Sequence, residues 1–389
     1  MNYRTHIVSS LSEVGQAEWD ALVAQQREPN PFLSFAFLHA LHESGSATPE
    51  TGWQPQYIAL YDKDDRLAAA LPLYVKGHSY GEYVFDWAWA NAYQEHGLDY
   101  YPKLLSAIPF TPVAGARLLA RDAHARAALV DVLLKTQKAT DVSSTHVLFP
   151  PDDEARQLAD AGFLLRSGVQ FHWMNAGYAT FDDFLATLEQ KKRKNIRAER
   201  RKVRDAGVLL RRVRGPGIRD EDWRFFARCY RNTYAEHFSK PYLNLDFFRR
   251  IGKTMPENLL LVIAERDGQP IAASLVVHDA TTLYGRYWGA LEHVPCLHFE
   301  TAYYQPLEFC IEQGIRVFEG GAQGEHKMAR GFLPTRTWSA HWLAHPAFAD
   351  AVERFLEREA GGIDDYLDEL NDRNPFRAAP GNGNGNGNT

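Results

Sequence analysis

The chain has 389 residues, 45% of them apolar, 13% aromatic and 24% charged, with a net charge of −6. That length exceeds one ordinary hydrophobic core and predicts two domains, and the composition excludes a disordered or fibrous chain. No apolar run is long enough to span a bilayer, the N-terminus lacks the layout of a secretion signal, and three scattered cysteines are too few for a disulfide framework. The expected location is the cytoplasm.

The charge is unevenly spread. Residues 191–214 carry twelve Lys or Arg against Glu199 and Asp205, leaving 31 basic and 47 acidic residues elsewhere, a net of −16. One basic segment on an acidic protein predicts a localised anionic partner.

In chain order, Phe32, Phe35, Leu38 and Leu41 predict an amphipathic helix from about Pro31. The stretch 56–76 reads as a hairpin around Asp62 to Asp65, and the aromatic run 82–90 as a third strand. A short helix is expected at 98–107, then a helix at 121–139, a strand at THVLF, a helix at 152–161 and a strand at 163–174. The second half repeats this order. A hairpin turns at Asp267-Gly268, a strand runs from Thr282 to Ala290, and a helix covers 298–313. LAAALPL (67–73) matches IAASLVV (271–277) at an offset of 204 residues, and Tyr100-Tyr101 match Tyr303-Tyr304 at 203. Two copies of one α/β unit are therefore expected, residues 1–177 and 178–372, with 373–389 as a disordered tail.

Between the halves, Thr180 and Asp183 form a helix-start signature, and one helix is expected over 181–206, ending at Gly207. Leu185, Leu188, Ile196 and Val203 give it a narrow apolar stripe. Lys191, Lys194, Arg197 and Arg201 face the other way, where phosphate on a nucleotide or RNA is the expected ligand. Aromatic residues are not interleaved, so base-specific reading is not expected and DNA is not an expected partner.

The segment EGGAQGEHKMARGF (319–332) concentrates glycines and titratable groups: Glu319 ends a strand-like RVFE, and Glu325, His326, Lys327 and Arg330 follow. Transfer of an acyl group to an amine needs a proton acceptor, donors for the developing oxyanion and a fixed geometry. Glu300, Glu319, Glu325 and His326 are the candidate proton acceptors. Gln323, Lys327, Arg330 and Tyr304 are candidate substrate contacts, although packing is the favoured role for Tyr303 and Tyr304. Glu82, Asp86 and Lys103 fit either the lining of a cleft or a structural ion pair. His293, Cys296 and His298 lack a fourth ligand, so no metal is expected. No Gly-x-Ser-x-Gly elbow is present for a serine hydrolase.

The motifs SYGEYVFDWAWA (79–90), YYPKL (100–104), PFTPVAG (109–115), KKRKNIRAERRKV (191–203), LYGRYWG (283–289), LHFETAYYQ (297–305) and GAQGEHKMARGF (321–332) resemble the Fem-like N-acyltransferase family. The resemblance covers about Phe32 to Phe355. It implies an α/β fold of two tandem GNAT-like domains, with mixed, mostly antiparallel sheets flanked by helices. It also implies transfer of an acyl or aminoacyl group to an amine, such as that of a peptidoglycan precursor, in cell-envelope metabolism. No cofactor is implied as permanently bound; acyl-CoA or aminoacyl-tRNA would be the co-substrate. The Gly-rich pyrophosphate loop of GNAT enzymes has no counterpart in ANAYQEHG (90–97) or LEHVPCLH (291–298), which favours tRNA over CoA. The competing expectation is a non-catalytic pair of such domains that grips RNA or a glycan-peptide.

Overall fold

The computed structural model describes residues 3–321 and 324–377. The first half opens with β1 (Arg4–Val8), α1 (Gln16–Ala24) and α2 (Phe35–Glu43). The Ser34 hydroxyl accepts from the Phe37 amide, so α2 starts at Phe35, and Pro31 sits in a preceding 3-10 turn. Strands β2 (Trp53–Pro55), β3 (Tyr57–Tyr61), β4 (Leu67–Leu71) and β5 (Tyr74–Lys76) follow. The expected hairpin is β3–β4; β5 departs to pair with β2.

Two local expectations fail next. The aromatic run at 82–90 is not a strand but a loop leading into α3 (Trp87–Glu95). Trp89 and Tyr93 lie four residues apart and share a buried cluster with Leu343 and Val352, a helical spacing that overrides the strand preference of aromatics. The helix expected at 98–107 is instead β6 (Lys103–Ser106), every residue of it buried between β5 and β8 (Ser144–Leu148). Pro102 supplies no amide to a helix there. β7 (Leu119–Ala120), α4 (Ala123–Ala139), α5 (Asp152–Asp160) and β9 (Leu164–Met174) complete the half near their expected positions.

The second half contains α6 (Phe181–Thr187), α7 (Gln190–Asp205), β10 (Val208–Arg214), α8 (Asp220–Glu236) and α9 (Leu245–Thr254). The β11 (Leu259–Arg266) and β12 (Gln269–His278) hairpin turns at Asp267-Gly268 as expected, and β13 (Thr282–Ala290) follows. A helical stretch comprises α10 (Leu297–Phe299), a π-helical turn at Glu300–Tyr304 and α11 (Gln305–Gln313). β14 (Val317–Glu319), a 3-10 turn at Glu325–Arg330, β15 (Leu333–Leu343) and α12 (Pro346–Asp372) close the chain.

The basic helix is two helices. Leu188 adopts an extended conformation (φ −81°, ψ 159°) and bridges to Phe376, which separates α6 from α7. The Glu189 amide donates to the Pro375 carbonyl, and the Arg377 amide to that of Thr187. Residues 373–377, expected to begin a disordered tail, are therefore ordered against α6; residues 378–389 lie outside the described set.

Among the described residues, a four-stranded sheet has the order β1-β3-β4-β7 and an eleven-stranded sheet the order β10-β11-β12-β13-β14-β9-β15-β8-β6-β5-β2. The expected boundary at 177 falls just after β9, yet the large sheet runs across it. β9 of the first half pairs with β14 and β15 of the second, and β15 is inserted between β9 and β8. Each half thus lends its long strand to the other. LAAALPL and IAASLVV occupy β4 and β12, the second strands of the two hairpins. The Tyr-Tyr match has no structural counterpart: Tyr100-Tyr101 precede β6, whereas Tyr303-Tyr304 lie in the π-helical turn. No helix among the described residues is long and apolar enough to cross a membrane.

Candidate functional site

The sheet opens between β13 and β14. These strands run parallel and pair only from Thr282–Val317 to Tyr284–Glu319, after which β14 ends and β13 continues to Ala290. At that point β13 also bulges. Leu275 of β12 faces Tyr287 while Val276 faces Gly285, leaving Arg286 as the extra residue. A bulge re-aims its side chain, and Arg286 is turned toward the end of β14. Its Nη2 donates to Glu319 Oε2 at 2.9 Å, and Nη1 donates to the Gly285 carbonyl at 3.1 Å. The ion pair is almost fully buried, with side-chain exposures of 2% and 9%. Gly285 keeps the opening passable, since a Cβ there would lie 2.9 Å from the Phe318 ring.

Two cavities converge on this opening. The larger, about 630 Å³, lies between the halves and is walled by the 79–87 loop, β9, β15 and α12. The smaller, about 120 Å³, lies within the second half between β13 and the α10 stretch, lined by Trp288, His298 and Tyr303. Both cavities touch Gly285, Arg286 and Gly320. A reacting atom entering from each side would meet beside the Arg286–Glu319 pair.

Lys327 joins this junction, its Nζ donating to the Gly321 carbonyl at 3.2 Å. Burial, then the charge of Arg286, push its pKa down to about 8. His172 on β9 is half-buried nearby; desolvation lowers its pKa despite the attraction of Glu319, so the ring is neutral near pH 7. Gly321 and Gly324 both have positive φ, as the glycine-rich turn anticipated.

Other expected residues lie away from the junction. Glu325 is exposed and tied to α12 and the residue after it, accepting from Tyr366 Oη at 3.0 Å and Arg373 Nη1 at 2.9 Å. His326 is exposed, 3.4 Å from the Tyr303 hydroxyl, and partial desolvation followed by Arg330 and Lys327 lowers its pKa. Arg330 packs its guanidinium 3.4 Å from the Phe299 ring centroid and donates to both Glu199 oxygens and to Tyr304 Oη. Tyr304 also donates to Glu199. Glu300 is buried and clasped by Arg200 through two bonds of 3.1 and 2.9 Å. Arg330, Tyr304 and Glu300 therefore hold α7 on the second half. Gln323 lies outside the described residues.

In the first half, Lys103 is fully buried and donates to Ser79 Oγ at 2.7 Å, to Glu82 at 2.8 Å and to Asp86. None of the three charged groups lines the large cavity; only Ser79 does. Burial would raise the Asp86 carboxyl, but Lys103 and His146 hold it well below the usual carboxylate range. Burial dominates at Glu82 and shifts it upward. The network continues through Tyr100, which donates to Asp86 at 2.7 Å, to His146, and from His146 Nδ1 to His341 Nδ1 at 2.8 Å across the β8–β15 pairing.

Across α6, the break and α7 the four residues of the apolar stripe dock: Leu185, Leu188, Ile196 and Val203 are all buried. Each such side chain contributes roughly 1.5–3 kcal/mol of burial. Lys191, Lys194, Arg197 and Arg201 are exposed, with Arg197 donating to Asp182 at 2.8 Å. Arg197, Arg201 and Arg204 line a groove of about 650 Å³ whose wall includes Phe181 and the exposed Leu209.

The sequence model of the FemAB-like family, described as peptidoglycan biosynthesis/recognition, matches residues 10–378. The chain belongs to the FemAB-like family. It is an acyltransferase with a tandem GNAT-like fold. Similar solved structures include FemX, at 12% identity and a TM-score of 0.57, covering 91% of this chain and 100% of that one. A protein of unknown function from Bacteroides thetaiotaomicron is 12% identical with a TM-score of 0.54, covering 87% and 99%. L-PGS from Bacillus licheniformis is 11% identical with a TM-score of 0.52, covering 88% and 97%. No curated protein sequence matches.

Sequence reasoning on this FemAB-like chain missed Arg286 and His172. Arg286 sits inside LYGRYWG, a motif that carried the family resemblance, as one cation in an otherwise apolar-aromatic strand. A cation in a central strand demands a buried partner, and that signal was available. His172 offered none, because its neighbour Glu319 is 147 residues away in the chain.

Proposed function

We propose that this FemAB-like chain transfers an aminoacyl group from a tRNA-borne donor to an amine acceptor at the Arg286–Glu319 junction, as a cytoplasmic step of cell-envelope metabolism. The observation that carries the reading is the convergence of two cavities on Gly285, Arg286 and Gly320. The donor ester enters the narrow slot beside β13, and the amine enters the wider cleft. The amine attacks the donor carbonyl directly, the tRNA ribose oxygen leaves with the electron pair of the broken ester bond, and it takes up the proton that the nitrogen loses as the amide forms. Glu319 accepts the proton of the incoming ammonium, held in place by Arg286. Arg286 and Lys327 supply positive charge to the oxyanion that develops on the carbonyl.

The tRNA donor is favoured over acyl-CoA by the groove along α7, where Arg201 and Arg204 are unpaired among the described residues beside Arg197, itself tied to Asp182. The α7 helix is fixed to the donor side by Glu199 and Arg200, which places its cations beside the stretch that lines the slot. The test compares the melting temperature of the protein with acetyl-CoA, uncharged tRNA and aminoacyl-tRNA. Stabilisation by tRNA and none by acetyl-CoA is expected; stabilisation by acetyl-CoA alone would overturn the donor assignment.

A further inference from the structure

The large cleft has a distinctive wall. Tyr80, Tyr83, Phe85, Trp87, Phe110 and Tyr242 all line it. Tyr80 and Phe85 are 57% and 58% exposed, an unusual outlay of aromatic surface on one short loop. The rings are arranged rather than scattered: Tyr80 and Trp87 lie 5.0 Å apart, and Phe110 stacks on Tyr242 at 4.9 Å with 9° between planes. Gly81 seats the loop, with φ +82° and no room for a Cβ, which would lie 2.7 Å from the Phe110 ring.

The charges of the cleft are equally informative. Its charged lining residues are Arg166, Arg286 and Glu359. Arg166 is spent on Glu359 through two bonds of 2.7 Å and on the Phe85 carbonyl at 2.7 Å; Arg286 is spent on Glu319. Lys327 is not part of the lining, and its Nζ is bonded to the Gly321 carbonyl. None of the residues outside the described set is Lys or Arg, so no further cation is hidden there. A diphosphate is usually held by two or more unpaired cations, and the lining offers none; the helix N-terminus in this wall, that of α3 at Trp87, follows directly on the Asp86 carboxylate, which repels an anion. Electron-rich ring faces in a cleft whose lining carries no unpaired cation attract an organic cation instead. Arg201 and Arg204 on α7, which have no carboxylate partner among the described residues, line a different groove.

We propose that the cleft selects an acceptor in the form of an organic ammonium on an apolar, phosphate-free body, held against the Tyr80–Trp87 aromatic wall. This rests on reading the cleft as the acceptor side of the transfer. The ammonium is drawn in by the ring faces, and its apolar body covers Phe110 and Tyr242. It gives up its proton only at the junction, where Glu319 waits.

The test is calorimetric binding to the full-length protein without any donor, using 2-phenylethylamine as probe and 2-phenylethanol as its uncharged counterpart. The amine is expected to bind more tightly than the alcohol. Tyr80→Ala and Trp87→Ala, each compared with Tyr80→Phe and with its melting temperature measured alongside, are expected to weaken amine binding about five-fold each. Uridine diphosphate is expected not to displace the amine. Equal affinity of amine and alcohol, unchanged affinity in both variants, or displacement by uridine diphosphate would each overturn the proposal. Binding needs no donor, so intact binding with no acyl transfer counts against the proposed function, and transfer without amine selectivity counts against this inference alone.

Discussion

Arg286 shows how one side chain can organise a site through a fault in its strand. The bulge opposite Leu275 and Val276 spends a ladder position to aim a guanidinium at the last residue of β14. Lys327 beside it is held in a setting that opposes its charge, with a pKa of about 8 against an ordinary 10.5. Between those values the unfolded chain binds a proton that the folded chain does not, so folding gains stability from this group as pH rises from about 8 to 10.5. Lys327→Met should therefore be more stable than the parent below pH 8, and its advantage should shrink toward pH 10. Melting temperatures across that range check the sign. Glu319 was legible because a carboxylate ends a short strand and glycines follow. Arg286 was hidden because the bulge depends on pairing with β12, which local sequence does not specify.

At the level of elements, α7 illustrates a helix whose two faces do different work. Its apolar stripe and the Glu199–Arg330 and Arg200–Glu300 pairs hold it down, while Arg201 and Arg204 remain free for a ligand. Glu300→Gln weakens a pair that is buried on the glutamate side and a quarter exposed on the arginine side, so a loss of about 1–3 kcal/mol is expected from urea unfolding. Arg201→Ala with Arg204→Ala should leave the urea midpoint unchanged. It should lower tRNA affinity and flatten the salt dependence of binding by roughly one unit of log–log slope per cation removed. The stripe and the capping box of α6 were readable from spacing alone. The break at Leu188 was not, because it is made by Phe376, nearly two hundred residues later. Likewise α3 read as a strand because aromatic side chains favour strands, and only the cluster around Trp89 and Tyr93 decides otherwise.

Across the whole molecule, the exchange of β9 and β15 makes the two halves one folding unit. A half cut at the boundary near residue 177 would lose the strand lent by the other and expose a long unpaired edge. Urea unfolding is therefore expected to give a single transition, with tryptophan fluorescence and far-UV circular dichroism coincident, and residues 1–177 alone are expected to aggregate or remain unfolded. The doubled architecture was visible in the matched hairpins, whereas the exchange was not, since no local pattern names a strand's neighbours. The same exchange builds the cleft, because β9 and β15 form its floor between the halves. The central claim is that acyl transfer occurs where that cleft meets the donor slot. The measurement that bears on it most directly is the single-turnover transfer rate of Glu319→Gln beside Glu325→Gln, each with its melting temperature. A fall of at least about 100-fold for Glu319→Gln, with Glu325→Gln at the parental rate, is the predicted result. Parental transfer by a folded Glu319→Gln, or loss only in Glu325→Gln, would contradict it.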